Sequence, residues 1–473
     1  MKKLAFLSLL LLITSQIVAQ NPCGTTHTPT DKTNWIARAA QLQNGLGSTE
    51  ELKYVPIKFH LIGNSAGGGF YRQTNLYELM CTLNKQFDTT NIRFYMVLPT
   101  NFISNDAYYS FTDYSVGDQC MNQYNVANVC NVYINSSPAG NCGYAYYPQT
   151  GPFGGNAGIF LNISCSAPTG STTLAHEMGH YLSLPHPFNN FGQLEYVNGS
   201  NCATAGDLFC DTRADFLDYR WSCPYTGANT DPNGDLYNPD QTLFMSYSLD
   251  NCQRRFSPQQ ANAMNVSLSA DRPYLLNGGV NSFLNLAQPS LVSPSDSVVG
   301  LTSFNFTWRK VPNANGYIFR VGRASSPNSF HADVFTTDTF YSYSGNVNVF
   351  RFSSMWFKWS VKPVGNRSFC TNTSYNYFKP LINVSAQETA QNTNINIYPN
   401  TISPELPINI YCQEIETDAQ LTLYDAQGKQ ILNQKLPALY QHQIYAPKPL
   451  SYGVYIAKIV GKKGIYTTKI VVN

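Results

Sequence analysis

The chain has 473 residues, a formal net charge of +2 and only 12% charged residues. That length exceeds one ordinary core and leads us to expect about three domains, and so small a charge excludes neither fold class but argues against a nucleic-acid partner or an acidic surface. With 32 Tyr and abundant Asn, Ser and Thr, the composition fits a β-rich extracellular protein.

Residues 1–19 start with Lys2 and Lys3, run apolar from Leu4 to Ile13 and end at Ala19, the pattern of a secretory signal peptide. The apolar run is shorter than the ~20 residues a bilayer span needs, so no membrane span is expected. Residues 20–53 read as a pro-segment or tether containing Cys23. All 12 cysteines lie in the exported part, where disulfides persist. Spacing makes Cys120 with Cys130, and Cys142 with Cys165, plausible local pairs. Cys202, Cys210, Cys223 and Cys252 bracket one loop-rich region, and sequence does not choose their connectivity.

Tyr54 to Ile62 alternates like a strand, as does Asn91 to Leu98. Between them, Thr74 to Phe87 has helical spacing, with Leu76, Leu79, Met80 and Leu83 on one face. His60, alone in its strand, reads as structural. Val132 to Ile134 and Gly158 to Asn162 read as further strands. The next stretch, Ser171 to His186, reads H-E-x-x-H-x-x-x-x-x-H. Residues four apart share a helix face, so His176 and His180 can grip one Zn²⁺ at ~2.0–2.1 Å. Glu177 sits beside the first ligand, where it reaches a water at the open position. Pro185 disfavours further helix, so the chain must turn to bring His186 back as third ligand. Three protein ligands and an open position make a catalytic zinc site.

Downstream, Leu243-Phe244-Met245-Ser246-Tyr247 resembles the Met-turn of metzincin proteases. Gly206-Asp207-Leu208-Phe209-Cys210-Asp211-Thr212, then Cys252 and Phe256-Ser257-Pro258-Gln259-Gln260, narrow the resemblance to the pappalysin family, over roughly Tyr54 to Arg272. Ser183 stands where that family usually has Gly, and Arg213 where it often has Pro. The resemblance implies an α+β catalytic domain: a mixed twisted sheet, a zinc-binding helix and the Met-turn, with Met245 as support beneath the metal. It further implies zinc-dependent hydrolysis of protein or peptide substrates, with Glu177 as general base and Tyr247 on the oxyanion. It makes Ala157 to Leu161 the expected edge strand for substrate. A pro-segment cysteine, here Cys23, can hold such an enzyme latent by occupying the zinc; a disulfide tether is the alternative. Calcium near the cleft is also implied, and Asp231, Asp235, Asn238 and Asp240 offer hard oxygen ligands. The same residues make solvated turns, so both readings stay open.

Past Arg272, aromatic strands such as Phe304 to Trp308 and Phe357 to Val361 suggest an antiparallel sandwich resembling a fibronectin type III module. Most of its aromatics are expected in the core, with exposed ones free for glycans. Residues 381–394 read as a linker. The last block, with Ile397-Tyr398-Pro399-Asn400, Asp425, Gly428, Gly453 and a Lys469-to-Asn473 end, resembles the C-terminal sorting domain of type IX secretion, although Thr401 replaces a common Pro. The type IX machinery is therefore an expected partner. The expected division is 54–280 catalytic, 287–380 fibronectin-like and 395–473 sorting, the last two all-β sandwiches. The competing function is an inactive secreted binding protein or adhesin. A glycan-cleaving enzyme would need paired carboxylates, and no such setting is evident.

Overall fold

The computed structural model describes residues 22–26, 33, 35–36, 51–148, 157–189, 193–295, 304–326, 328–343, 350, 355–380, 395–397, 400–412, 419–436, 441–446, 448–461 and 464–473. The expected signal peptide and linker lie outside them, as does most of the pro-segment. The chain divides into two compact units, Met1–Leu381 and Ile382–Asn473.

The first unit begins with β1 (Lys53–Gly63), α1 (Gln73–Gln86), β2 (Ile92–Met96) and β3 (Asn101–Ser104). Next come α2 (Asp106–Tyr109), β4 (Ser110–Phe111), α3 (Tyr114–Tyr124), β5 (Cys130–Asn135), β6 (Ser137–Pro138), β7 (Gly143–Ala145) and β8 (Ile159–Asn162). The main sheet has the order β2-β1-β5-β8-β7, with β3 also on β1. Its strands are parallel except β7, which runs antiparallel to β8. Burial on both faces explains the almost unbroken apolar runs. One face carries Val55, Ile57, Phe59 and Leu61, packed with Leu76, Leu79 and Met80 of α1. The other carries Ile62, Tyr133 and Phe160, packed with Met121 of α3.

Two sequence expectations need correction. Ala157 to Leu161 runs into β8, which is flanked by β5 and β7, so the edge strand on that side of the sheet is β7. Cys120 and Cys130 are free and buried; one belongs to the cluster on each face of the sheet, which keeps them apart. The disulfides are Cys142–Cys165, Cys202–Cys210, Cys223–Cys252 and Cys81–Cys370. The last was not anticipated, since 289 residues separate its ends.

Helices α4 (Thr173–Tyr181) and α5 (Pro258–Ala270) complete the mixed α/β part. Phe256-Ser257-Pro258-Gln259-Gln260 proves to be a helix start: Ser257 and Gln260 form a capping box on α5. Asp211 adds to it, accepting from Ser257 Oγ at 2.7 Å and Gln259 N at 2.8 Å. Arg272, fully buried, lies 3.5 Å over the Tyr181 ring and donates Nε to the Tyr181 carbonyl, tying the segment after α5 to the end of α4.

Two antiparallel sheets follow: β9 (Leu291–Ser293), β10 (Phe304–Trp308) and β13 (Phe340–Tyr343) in one, β11 (Gly316–Arg323), β12 (Phe330–Thr336), β14 (Phe357–Val364) and β15 (Ser374–Phe378) in the other. Phe304, Phe306, Phe319 and Trp359 fill the space between them. The second sheet's outer face is packed on α1. Phe335 stacks on Tyr77, Arg320 pairs with Glu78 and Asp333, and Ile318 and Val364 join the core of the first part. With Cys81–Cys370, these contacts cross the boundary expected near residue 280 and make one compact unit.

The second unit contains β16 (Ile395–Ile397), β17 (Thr401–Ile402), β18 (Ile408–Cys412), β19 (Gln420–Tyr424), β20 (Gln430–Lys435), β21 (Gln441–Ile444), β22 (Gly453–Gly461) and β23 (Gly464–Val472). They form sheets ordered β16-β18-β21 and β17-β23-β22-β19-β20 around Leu421, Leu423, Ala457, Ile459 and Ile470.

Candidate active site

Helix α4 presents His176 and His180 four residues apart, and its end is what returns His186. Ser183 takes a left-handed φ of 76°. Its N–H donates to the His180 carbonyl at 2.8 Å, and Leu184 N–H donates to the Gly179 carbonyl at 2.8 Å, the paired bonds of a Schellman ending. Glycine adopts this conformation at no steric cost. Ser183 instead hydrogen-bonds Ser267 in the interior, Oγ to Oγ at 2.7 Å, which offsets the strain. The turn that glycine would make is preserved.

The three imidazole Nε2 atoms converge, 3.1 Å between His176 and His180, 3.0 Å between His180 and His186, and 3.2 Å between His176 and His186. Each Nδ1 has an outward acceptor: the Phe244 carbonyl at 2.7 Å, the Leu184 carbonyl at 2.7 Å and Asn189 Oδ1 at 3.2 Å. Carbonyls accept only, so the protons sit on Nδ1 and three Nε2 lone pairs face one another. Burial pushes His176 down to about 4 and His180 well below the usual range, so no proton bridges them. Such a knot of lone pairs is tolerable around a cation. A tetrahedral zinc with bonds of ~2.0–2.1 Å would hold its ligand atoms about 3.3 Å apart, close to what is seen. The carbonyl and amide partners are the outer support that metal-bound imidazoles need.

The Met-turn lies directly below. Phe244 supplies the carbonyl under His176, and Ser246 N–H closes the turn on Leu243 at 3.2 Å. Met245 is fully buried, and a Cβ on Gly179 would come within 2.4 Å of its Sδ. Glycine at 179 thus lets the turn press against the helix. The Tyr247 ring packs 4.9 Å from that of His186, and its hydroxyl donates to the Cys23 carbonyl at 3.4 Å.

Glu177 is fully buried beside Gly143 of the edge strand, where a Cβ would strike its side chain at 2.8 Å. Its Oε2 accepts from Thr25 Oγ1 at 3.2 Å and Cys23 Sγ at 3.6 Å, while Oε1 has no partner. Burial raises its carboxyl to about 8. Cys23 is free, and its Sγ with the three histidine nitrogens makes a group whose atoms all lie within 4.8 Å. The Cys23 segment is bound along β7: Gly24 N–H donates to the Gly143 carbonyl at 2.9 Å, and Ala145 N–H to Thr25 Oγ1 at 2.9 Å. A side chain at 24 would come within 2.3 Å of the Tyr114 hydroxyl, so only glycine fits there.

The acidic loop does not gather. Asp231 accepts from the N–H groups of Val197, Asn233 and Asp235, and Asp240 accepts from Thr242 and Arg255. Asp235 and Asn238 are exposed. The Asp231–Asp240 stretch is a backbone-capped turn. Buried carboxylates occur elsewhere, at Glu195, Asp207 and Asp215, each with one oxygen unpartnered. Burial raises Glu195 to about 9, with help from Asp207 and Asp215; it raises Asp207 to about 8 and Asp215 to about 7. No spacing rule links these three, nor does any point to Tyr147, whose hydroxyl lies 3.1 Å from His180 Nδ1, to Asn189 or to Gly143; Asp207 alone falls within the Gly206-to-Thr212 motif.

Residues 112–269 match the peptidase M43 family, described as pregnancy-associated plasma protein-A. An extracellular metalloprotease of Colletotrichum graminicola is 27% identical over 226 residues, 44% of this chain and 74% of that protein. Human pappalysin-1 is 29% identical over 170 residues, 34% of this chain and 10% of that one. This chain carries a metalloendopeptidase domain of the pappalysin type. Residues 396–473 of this metalloprotease match the secretion system C-terminal sorting domain, so it is a secreted or cell-surface protein that uses the type IX route. Among solved structures, mirolysin in complex with compound 9 aligns with a TM-score of 0.37 at 18% identity, covering 48% of this chain and 97% of that one. No described helix is long and apolar enough to cross a membrane.

Proposed function

We propose that the mature protein cleaves peptide bonds of extracellular proteins with His176, His180 and His186 as zinc ligands. The observation that carries this is the convergence of three Nε2 lone pairs on one point, with every Nδ1 proton committed outward. Zinc bound there would acidify a water and polarise the scissile carbonyl. Glu177 takes the proton of the attacking water and delivers it to the leaving amine, a role that its buried, half-partnered carboxylate suits. Tyr247 donates to the developing oxyanion, and Met245 supports the site from below. Gly143 and Ala145 bind the substrate backbone along the β7 edge. The metzincin architecture, followed by fibronectin-like and sorting sandwiches with the boundaries expected above, is the matching domain plan.

Cys23 holds the enzyme latent in this reading. Its thiol lies with the zinc ligands and its segment occupies the edge strand. The unprocessed Cys23→Ala chain should cleave a quenched peptide that unprocessed wild type leaves intact. Equal activity of the two, before any N-terminal trimming, would sink the latch. A degenerate binding protein has no need of the converging histidines or of Glu177, and is disfavoured.

For calcium, Asp231, Asp235, Asn238 and Asp240 remain the oxygen ligands offered by the sequence, and Glu195, Asp207 and Asp215, which repel one another and each bury an oxygen without a partner, are a second place where a hard cation would be favourable.

A further inference from the structure

We propose that the outer face of the β11–β14–β15 sheet binds an anionic polysaccharide, through a groove remote in function from the hydrolytic centre. The face has two halves. Near Ile318 and Phe335 it is apolar and covered by α1. Beyond Arg320 it reaches solvent and stays aromatic: Phe330, Tyr375 and Tyr377 are 41%, 56% and 36% exposed, with the Arg320 guanidinium 5.1 Å from the Phe330 ring centroid. Strand pairing sets these side chains in rows. Phe330, Gly322, Lys358 and Tyr377 oppose one another across four strands; Asp333, Arg320, Ser360 and Tyr375 form the next row. Gly322 puts no side chain over the floor, and a cavity of about 270 Å³ opens there.

Charge decides the ligand class. Arg320 is neutralised by Glu78 and Asp333. Lys358 has no carboxylate partner among the described ion pairs; its ammonium lies 4.2 Å from the Tyr375 ring centroid and 6.0 Å from that of Tyr377. Arg323, exposed at the end of β11, lines the same cavity. Flat aromatic faces stack on pyranose rings, Lys358 and Arg323, which have no carboxylate partner among the described ion pairs, pair with carboxylate or sulfate, and Ser326, Ser360 and Thr373 supply hydroxyls for sugar hydroxyls. Two cations are too few to track a nucleic-acid backbone, whose affinity grows with each phosphate neutralised.

The test is calorimetric titration of the full-length protein with oligogalacturonate, dextran sulfate, neutral dextran and single-stranded DNA. Oligogalacturonate or dextran sulfate should bind, more weakly at high salt, and whichever binds tighter identifies carboxylate or sulfate as the preferred anion. Lys358→Ala and Tyr375→Ala should each weaken binding by about fivefold or more, in line with one lost cation or stacking contact. Peptide cleavage by both variants, measured after removal of the N-terminal segment that carries Cys23, should stay at the rate of wild type treated alike, which also reports that they are folded. No binding of either anionic glycan, equal binding by both variants, or equally tight binding of neutral dextran or DNA would overturn the proposal.

Discussion

The molecule holds two buried polar groups that look alike in kind and differ in how they are made. The histidine site draws two ligands from one helix turn and the third from the turn that ends it, and every outward nitrogen has a partner. The acidic group draws Glu195, Asp207 and Asp215 from separate loop positions, and each keeps an unpartnered oxygen. The first is encoded by local spacing, and its three Nε2 atoms converge on one point. The second is encoded by loop folding and disulfide bracketing, which leave no spacing rule in the sequence, unlike the Asn- and Asp-rich Asp231 loop, whose Asp231 and Asp240 already accept hydrogen bonds. Richness in oxygen ligands locates turns as readily as cations; buried oxygens without donors are the sharper signal.

Removing a histidine ligand should have the largest effect. His180→Ala should lose zinc, measured by metal analysis of the purified protein, and with it all cleavage. Chelator should lower the Tm of wild type and leave that of the variant unchanged. Retained stoichiometric zinc would break the contrast between the two groups.

The acidic group should respond to calcium more modestly. At 100-fold excess over Kd, calcium should stabilise wild type by about 2.7 kcal/mol, and Asp207→Asn should lose most of that shift. An equal calcium response in wild type and Asp207→Asn, with the response lost in Asp231→Asn, would return the site to the turn.

His60 supplies the control, a buried histidine with no metal role. Asn131 and Asn101 partner both its ring nitrogens at 3.0 and 3.1 Å, and burial lowers it to about 4 from 6.5. The folded state therefore resists protonation that the unfolded chain accepts. The His60 contribution to stability should be complete above pH ~6.5 and be lost as pH drops from there toward ~4, by about 3 kcal/mol in all. Denaturant melts of His60→Gln between those pH values should lose much of that slope; an unchanged slope would assign the acid sensitivity to other groups.

Sequence made the zinc helix legible because an i, i+4 ligand pair needs only helix geometry. Ser183 stands where the resembled family usually has Gly, yet the positive φ is kept, since a hydrogen bond to Ser267 across 84 residues offsets what glycine would have spared. That bond has no sequence signature. The edge strand was misplaced because Ala157 to Leu161 is the more apolar run, whereas exposure as an edge depends on sheet order. Cys81–Cys370 and the packing of α1 on the second β-sheet were likewise invisible, being contacts across 289 residues for the disulfide and 242 for Arg320 with Glu78.

The most direct test compares mature wild type with Glu177→Ala for zinc content and casein cleavage. The account predicts equimolar zinc in both, with chelator-sensitive cleavage by wild type and a rate lower by about 10²–10⁴-fold in the variant. Absence of zinc from wild type, or full activity of Glu177→Ala, would contradict it.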